Sequence, residues 1–226
     1  MIPLRDTKTS HRLPVQTIGL IILTAYIFYL QIITPDIEAF ILRYAFIPET
    51  FSFADPSTWL QLVTPIFLHG GFLHIISNML FLWVFGDNVE EELGFWYLPV
   101  YLLGGIAANL GQYLIAPDSP IPIIGASGAV AMVLGAYLVW FPHHTVKTLV
   151  PLLFFITIIN IPASVLLIYW FVLQLFSGVT SLDPITAQAG EGIAYFAHIG
   201  GFVAGVLIAL VWKRPRREEF GEQLDS

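Results

Sequence analysis

No cysteine occurs in this 226-residue chain, which excludes a disulfide framework, a thiolate nucleophile and a sulfur-ligated zinc. Charge is scarce as well: Asp, Glu, Lys and Arg make up 11% of the residues against 57% hydrophobic, with a mean hydropathy of +0.78. That balance excludes an ordinary soluble domain and leads to a polytopic membrane protein. The net charge of −7 is spread over loops and tail with no basic patch among aromatics, so no nucleic-acid partner is expected. Arg5, Lys8 and Arg12 precede the first apolar stretch, which runs for about twenty residues without a small-residue cleavage site. It is too long for the core of a signal peptide and reads as an uncleaved signal anchor.

What the chain has in quantity is apolar sequence. With about twenty residues as the usual length of a membrane-crossing helix, six spans are expected, at residues 15–34, 66–86, 94–115, 127–141, 163–179 and 192–212. The fourth is short. The run from Val146 to Phe176 is divided by Pro151, Asn160 and Pro162 into an interfacial piece and a span beginning near Pro162. An N-terminus in the cytoplasm puts Arg5, Lys8, Arg12, Lys147, Lys213, Arg214, Arg216 and Arg217 inside and leaves Arg43 outside. The layout is a cytoplasmic segment 1–14, a membrane domain 15–212 and a cytoplasmic tail 213–226. Between Pro35 and Thr58 the aromatic and apolar residues suit an amphipathic element lying on the outer leaflet.

By this map every Asp and Glu falls in a loop or tail. The polar residues left inside spans are His69, His74, Ser77, Asn78, Asn109, Gln112, Ser127, Ser164, Gln174 and His198, candidates for function because burying them in lipid is costly. Ser, Asn and Gln also join helices by simple hydrogen bonds, which accounts for Ser77, Asn109, Gln112, Ser164 and Gln174. Helix rise places Ser127 about 8 Å and His198 about 9 Å below the outer surface. Small residues recur every fourth position at Ser127, Ala131 and Gly135, and at Ala197, Gly201, Gly205 and Ala209. Such seams let two helices approach closely enough for a histidine to take a serine's proton. His74 and Asn78 share a helix face, where an imidazole N–H and an amide could hold a developing oxyanion. Zinc on His69, His74 and His198 is the rival use of these imidazoles, but His69 and His74 would diverge by about 140° around a helix and no H-E-x-x-H is present. His143 and His144 are expected to be solvated.

The segments H-G-G-F-L-H-I-I-S-N at 69–78, G-A-S-G at 125–128 and A-H-I-G-G-F-V-A-G at 197–205 together resemble the rhomboid intramembrane serine proteases. The resemblance implies an all-α membrane protein, a six-transmembrane-helix rhomboid-like bundle with a short fourth helix and a membrane-lying first outer loop. It implies Ser127 as nucleophile, His198 as general base, and His74, Asn78 and the Ser127 backbone N–H as the oxyanion hole. His69 and the glycines, Gly125, Gly128, Gly201 and Gly205 among them, would be structural. No cofactor or metal is implied. Substrates would be single-span membrane proteins that reach the site from surrounding lipid past the fifth helix, in a plasma (inner) membrane with both termini cytoplasmic.

Two positions depart from the family pattern. The aromatic that underlies the histidine in well-known members is Ala131 here, which leaves Tyr195 or Tyr137 to support His198. Trp59-Leu60-Gln61 replaces a tryptophan–arginine pair, so the anchoring of the first outer loop is open. A non-catalytic relative that binds or moves membrane proteins would lack the Ser or the His, and a transporter would carry polar residues through the whole depth.

Overall fold

The computed structural model describes residues 1–8, 10, 12–152, 155–182 and 193–212. The tail 213–226, with its basic cluster, and the stretch 183–192, where the sixth span was expected to begin, lie outside the described residues. Seven α-helices are described: α1 Val15–Ile33, α2 Ile37–Tyr44, α3 Phe72–Leu93, α4 Tyr97–Ile115, α5 Ser127–Trp140, α6 Ala163–Thr180 and α7 Tyr195–Val211. All but α2 are long and apolar, and they form a helical membrane bundle. Its surface is apolar where lipid would lie: Val165, Ile168, Val172 and Phe176 of α6 are exposed.

Five spans fall within three residues of where hydropathy puts them, but α3 does not. His69-Gly70-Gly71 breaks the backbone, so α3 starts at Phe72 rather than at 66, and it then runs past 86 to Leu93. Asp87, Glu90, Glu91 and Glu92 therefore sit on a helix, which corrects their assignment to a loop. The partners come from the chain's start. Pro14 gives α1 no side-chain cap, and the Glu90 carboxylate takes that place, accepting from Gln16 N at 2.9 Å and Thr17 N at 2.7 Å. A carboxylate is favoured there by the free N–H groups and by the helix dipole.

The structure adds a three-stranded antiparallel sheet to the all-helical expectation. Its strands are β1 Ile2–Asp6, β2 Thr145–Leu152 and β3 Phe155–Pro162, in the order β1-β2-β3. The β-branched run Thr145, Val146, Thr148, Val150, Ile156, Thr157, Ile158, Ile159 and Ile161 makes strands of the segment expected as an interfacial piece. The N-terminal segment is thereby tied to the end of the bundle opposite Ser127. Asp6 is buried there, bonded to Tyr137 Oη and to Asn88 Nδ2 at 3.0 Å, with His144 Nδ1 at 3.2 Å. His144 is thus a partner of a buried carboxylate instead of a solvated side chain, and Tyr137 is committed to the sheet end. Asp6→Ala would remove one buried acceptor from Tyr137 and from Asn88, which keep His144 Nδ1 and the oxygens of Lys8 and Asp87 respectively, at about 0.5–1.5 kcal/mol for each bond lost. We expect a lowered melting temperature in detergent, with Asp6→Asn closer to wild type.

Helix α5 is the hub, with every residue from Gly128 to Tyr137 buried. It meets α7 backbone to backbone. A Cβ at Gly201 would collide with the Gly128 carbonyl, one at Gly205 with the Met132 carbonyl, and one at Gly135 with the Phe202 carbonyl. The loop from Pro35 to Phe67 is docked as well as amphipathic. Phe46 and Ile123 exchange backbone hydrogen bonds of 3.1 and 2.8 Å, Phe51 packs on Tyr113 of α4, and Asn109 Nδ2 donates to Leu62 O at 2.9 Å. These contacts anchor the loop without a tryptophan–arginine pair.

Candidate active site

Ser127 is the first residue of α5, and the turn before it is held from three sides. Gly125 adopts φ +124°, a left-handed conformation open to glycine, and a Cβ there would lie 2.7 Å from His74 Nε2. Its N–H donates to Pro65 O at 2.8 Å, and the Ala126 N–H donates to His69 Nε2 at 3.4 Å. His69 is fully buried and fixed through its own backbone by Gln31 of α1, in bonds of 3.2 and 2.6 Å. Gly128 fits tightly against Ala108 of α4, while its carbonyl faces Gly201 of α7.

His198 is reached from α7. That helix starts at Tyr195, not at 192, so His198 lies about 4.5 Å along it rather than 9 Å. The α5–α7 contact nevertheless brings His198 Nε2 to 2.8 Å from Ser127 Oγ. Nδ1 of the same ring lies 2.9 Å from Gln174 Oε1 on α6. The ring centroid is 6.0 Å from Trp170 and 6.5 Å from Tyr195. Tyr195 is therefore a neighbour of His198 and Tyr137 is not.

His74 and Asn78 rise from the first turns of α3 beside the same spot. The Gly70 N–H donates to His74 Nδ1 at 3.3 Å, which leaves the ring proton on Nε2, the atom turned toward Gly125. Asn78 Nδ2 is buried without a hydrogen-bond partner. Unsatisfied buried donors are rare and expensive, and this one borders a cavity of about 960 Å³ that also holds His74, Ser127, Gln174 and His198. A helix's first N–H groups have no partner within the helix, so the Ser127 amide adds a donor at the same mouth. Among the described residues no group of three or more His, Asp or Glu is arranged to hold a metal ion.

Sequence reasoning missed Gln31, Trp170 and the role of Gln174. Gln31 is an amide near the end of the mostly apolar α1, followed by Ile32 and Ile33, and that isolation was its signal. Gln174 stood out as a polar residue within a span, but nothing local distinguished it from a simple link between helices.

An apolar bundle that gathers polar groups around an open cavity is that of an integral membrane protein. Within that class the chain belongs to the rhomboid family, since residues 56–215 match the model of the Rhomboid domain. Rhomboid protease GluP of Bacillus subtilis (strain 168) is 31% identical over 172 residues, 74% of this chain and 29% of that one. Rhomboid-like protein 11, chloroplastic, of Arabidopsis thaliana is 44% identical over 75 residues, 32% of this chain and 26% of that one. RHOMBOID-like protein 5 of the same plant is 28% identical over 157 residues, 67% of this chain and 43% of that one. The chain thus matches less than half the length of each of these relatives.

Proposed function

We propose that the chain is an intramembrane serine endopeptidase in which Ser127 is the nucleophile and His198 the general base. The observation that carries this reading is the 2.8 Å contact between Ser127 Oγ and His198 Nε2 on the wall of the open cavity. As Oγ bonds to the scissile carbonyl carbon, His198 takes its proton, and the carbonyl becomes an oxyanion facing His74 Nε2–H, Asn78 Nδ2 and the Ser127 N–H. When the C–N bond breaks, His198 returns the proton to the leaving amine. Water then repeats the sequence on the acyl-enzyme and frees Ser127. The relative GluP is named a protease, which supports the reaction type.

The substrates we assign are single-span membrane proteins, reaching the site from surrounding lipid between α3 and α6, both of which line the cavity. A segment with helix-breaking residues would suit best, because a fully bonded transmembrane helix hides its carbonyls. Arg5, Lys8, Arg12 and Lys147 gather at the end away from Ser127, where β1 and β2 lie. The positive-inside rule makes that end cytoplasmic and turns the cavity outward. We assign residues 15–212 to the membrane domain, 1–14 and 213–226 to the cytoplasmic side, and the protein to a plasma (inner) membrane.

The test is reconstitution with a fluorescent transmembrane reporter. Wild type should cleave it and be labelled by a fluorophosphonate at Ser127, while Ser127→Ala should do neither. Cleavage by Ser127→Ala at the wild-type rate would overturn the reading, and absence of cleavage and labelling in the folded wild type would favour a non-catalytic rhomboid-like protein. Asn78→Ala is expected to lower turnover by up to about 10²–10³-fold with the melting temperature retained. Unchanged turnover would remove Asn78 from the oxyanion hole.

A further inference from the structure

We propose that Gln174 is the positioning residue of His198, a neutral amide on α6 doing the orienting that a carboxylate does in soluble serine proteases. The inference rests on the peptidase reading above and adds a third member to it. A neutral imidazole carries one N–H. For His198 to accept the Ser127 proton, Nε2 must be bare, so the ring proton sits on Nδ1. The atom 2.9 Å from Nδ1 is Gln174 Oε1, which can only accept. Tautomer and amide orientation thus specify each other: Nδ1–H donates to Oε1, and Nε2 is left facing Ser127 Oγ at 2.8 Å.

Helix α6 also limits how the ring tilts. Trp170, one turn before Gln174, sits with its ring 34° from the plane of His198, and Tyr195 meets the imidazole edge-on at 85°. Ala131 cannot serve, since its methyl group is buried at the α5–α7 contact, against Gly201. The support missing from α5 is therefore supplied from α6.

The choice of an amide follows from the surroundings. A carboxylate inside a bilayer is costly unless charge-paired, and the buried acids Asp6, Glu90 and Glu92 all lie toward the opposite end of the bundle. Glutamine provides an acceptor for Nδ1–H without a charge to bury. The bond also links α6 to α7 as polar side chains in membrane helices do, but this oxygen meets the second nitrogen of the general base.

The experiment compares Gln174→Met, which keeps length and apolar volume but removes the amide oxygen, with Gln174→Glu, which restores an oxygen at that position. Both are assayed with the transmembrane reporter for kcat and KM, and for melting temperature. Gln174→Met is expected to lower kcat by about 10²-fold, the scale of a misaligned catalytic group, with KM and melting temperature held. Gln174→Glu is expected to recover most of that loss. A wild-type kcat in Gln174→Met would overturn the proposal, and so would a Gln174→Glu variant that keeps the wild-type melting temperature yet recovers none of the loss. Ser127→Ala run in parallel separates the two readings. An inactive Ser127→Ala beside a fully active Gln174→Met removes only the role of Gln174, whereas an active Ser127→Ala removes both.

Discussion

His198→Ala is expected to lower reporter cleavage about 10⁴-fold, the upper end of what a positioned general base contributes. Among the described residues, His198 Nε2 is the hydrogen-bond partner of Ser127 Oγ. His74 is nearby, but its Nδ1 accepts from Gly70 and its Nε2 carries the proton, so it can donate and cannot replace the lost acceptor. The residual rate should reflect the donors at the cavity mouth and substrate binding alone. Because nucleophile and base act as a unit, the double variant Ser127→Ala/His198→Ala should be no slower than either single variant. The check is single-turnover cleavage in proteoliposomes, with fluorophosphonate labelling of Ser127 as the second readout. Independent, multiplying losses would mean that the two side chains do not act on one proton, and would remove the pair from the mechanism.

How much of this was legible in the sequence depended on whether the deciding contact was local. The apolar runs of α1, α4, α5 and α6 were visible because hydropathy is a property of the run itself. The small residues of α5 and α7 marked the right helix pair, and the contact includes Ala131 and Gly135 of the expected stripe together with the carbonyls of Gly128 and Met132 beside it. The extension of α3 to Leu93 was not legible, because Glu90 is satisfied by amides of α1 that lie 74 and 73 positions away. The sheet was hidden for a related reason: β1 has no identity as a strand until β2 pairs with it. Gln174 and Gln31 were ambiguous because a glutamine in an apolar helix looks the same whether it meets a catalytic imidazole, a backbone amide or another helix. Only the fold brings Gln174 to His198, across 24 positions of sequence.

The glycines of α7 provide the second large effect. Gly201→Ala is expected to lower both stability and activity, because its Cβ would collide with the carbonyl of Gly128, the residue after Ser127. A backbone carbonyl cannot rotate aside as a side chain can, so α5 and α7 must separate. Overpacking of this kind destabilises by about 1–3 kcal/mol. The separation also opens the contact between Ser127 and His198, since Gly201 lies one turn beyond His198 on α7. A misplacement of about 1 Å costs on the order of 10²-fold in rate. Gly205→Ala, which would strike the Met132 carbonyl, should destabilise to a similar degree but spare more of the rate, since it lies a further turn from the histidine. Gly19→Ala on α1 is the control, because a Cβ there meets nothing within 4 Å. It should leave activity intact and match or exceed wild-type stability, as alanine is the better helix former by about 1 kcal/mol. Thermal unfolding in detergent together with the rate of fluorophosphonate labelling at Ser127 distinguishes the three. If Gly201→Ala labels Ser127 at the wild-type rate, the close approach of α5 and α7 is not what holds the pair together.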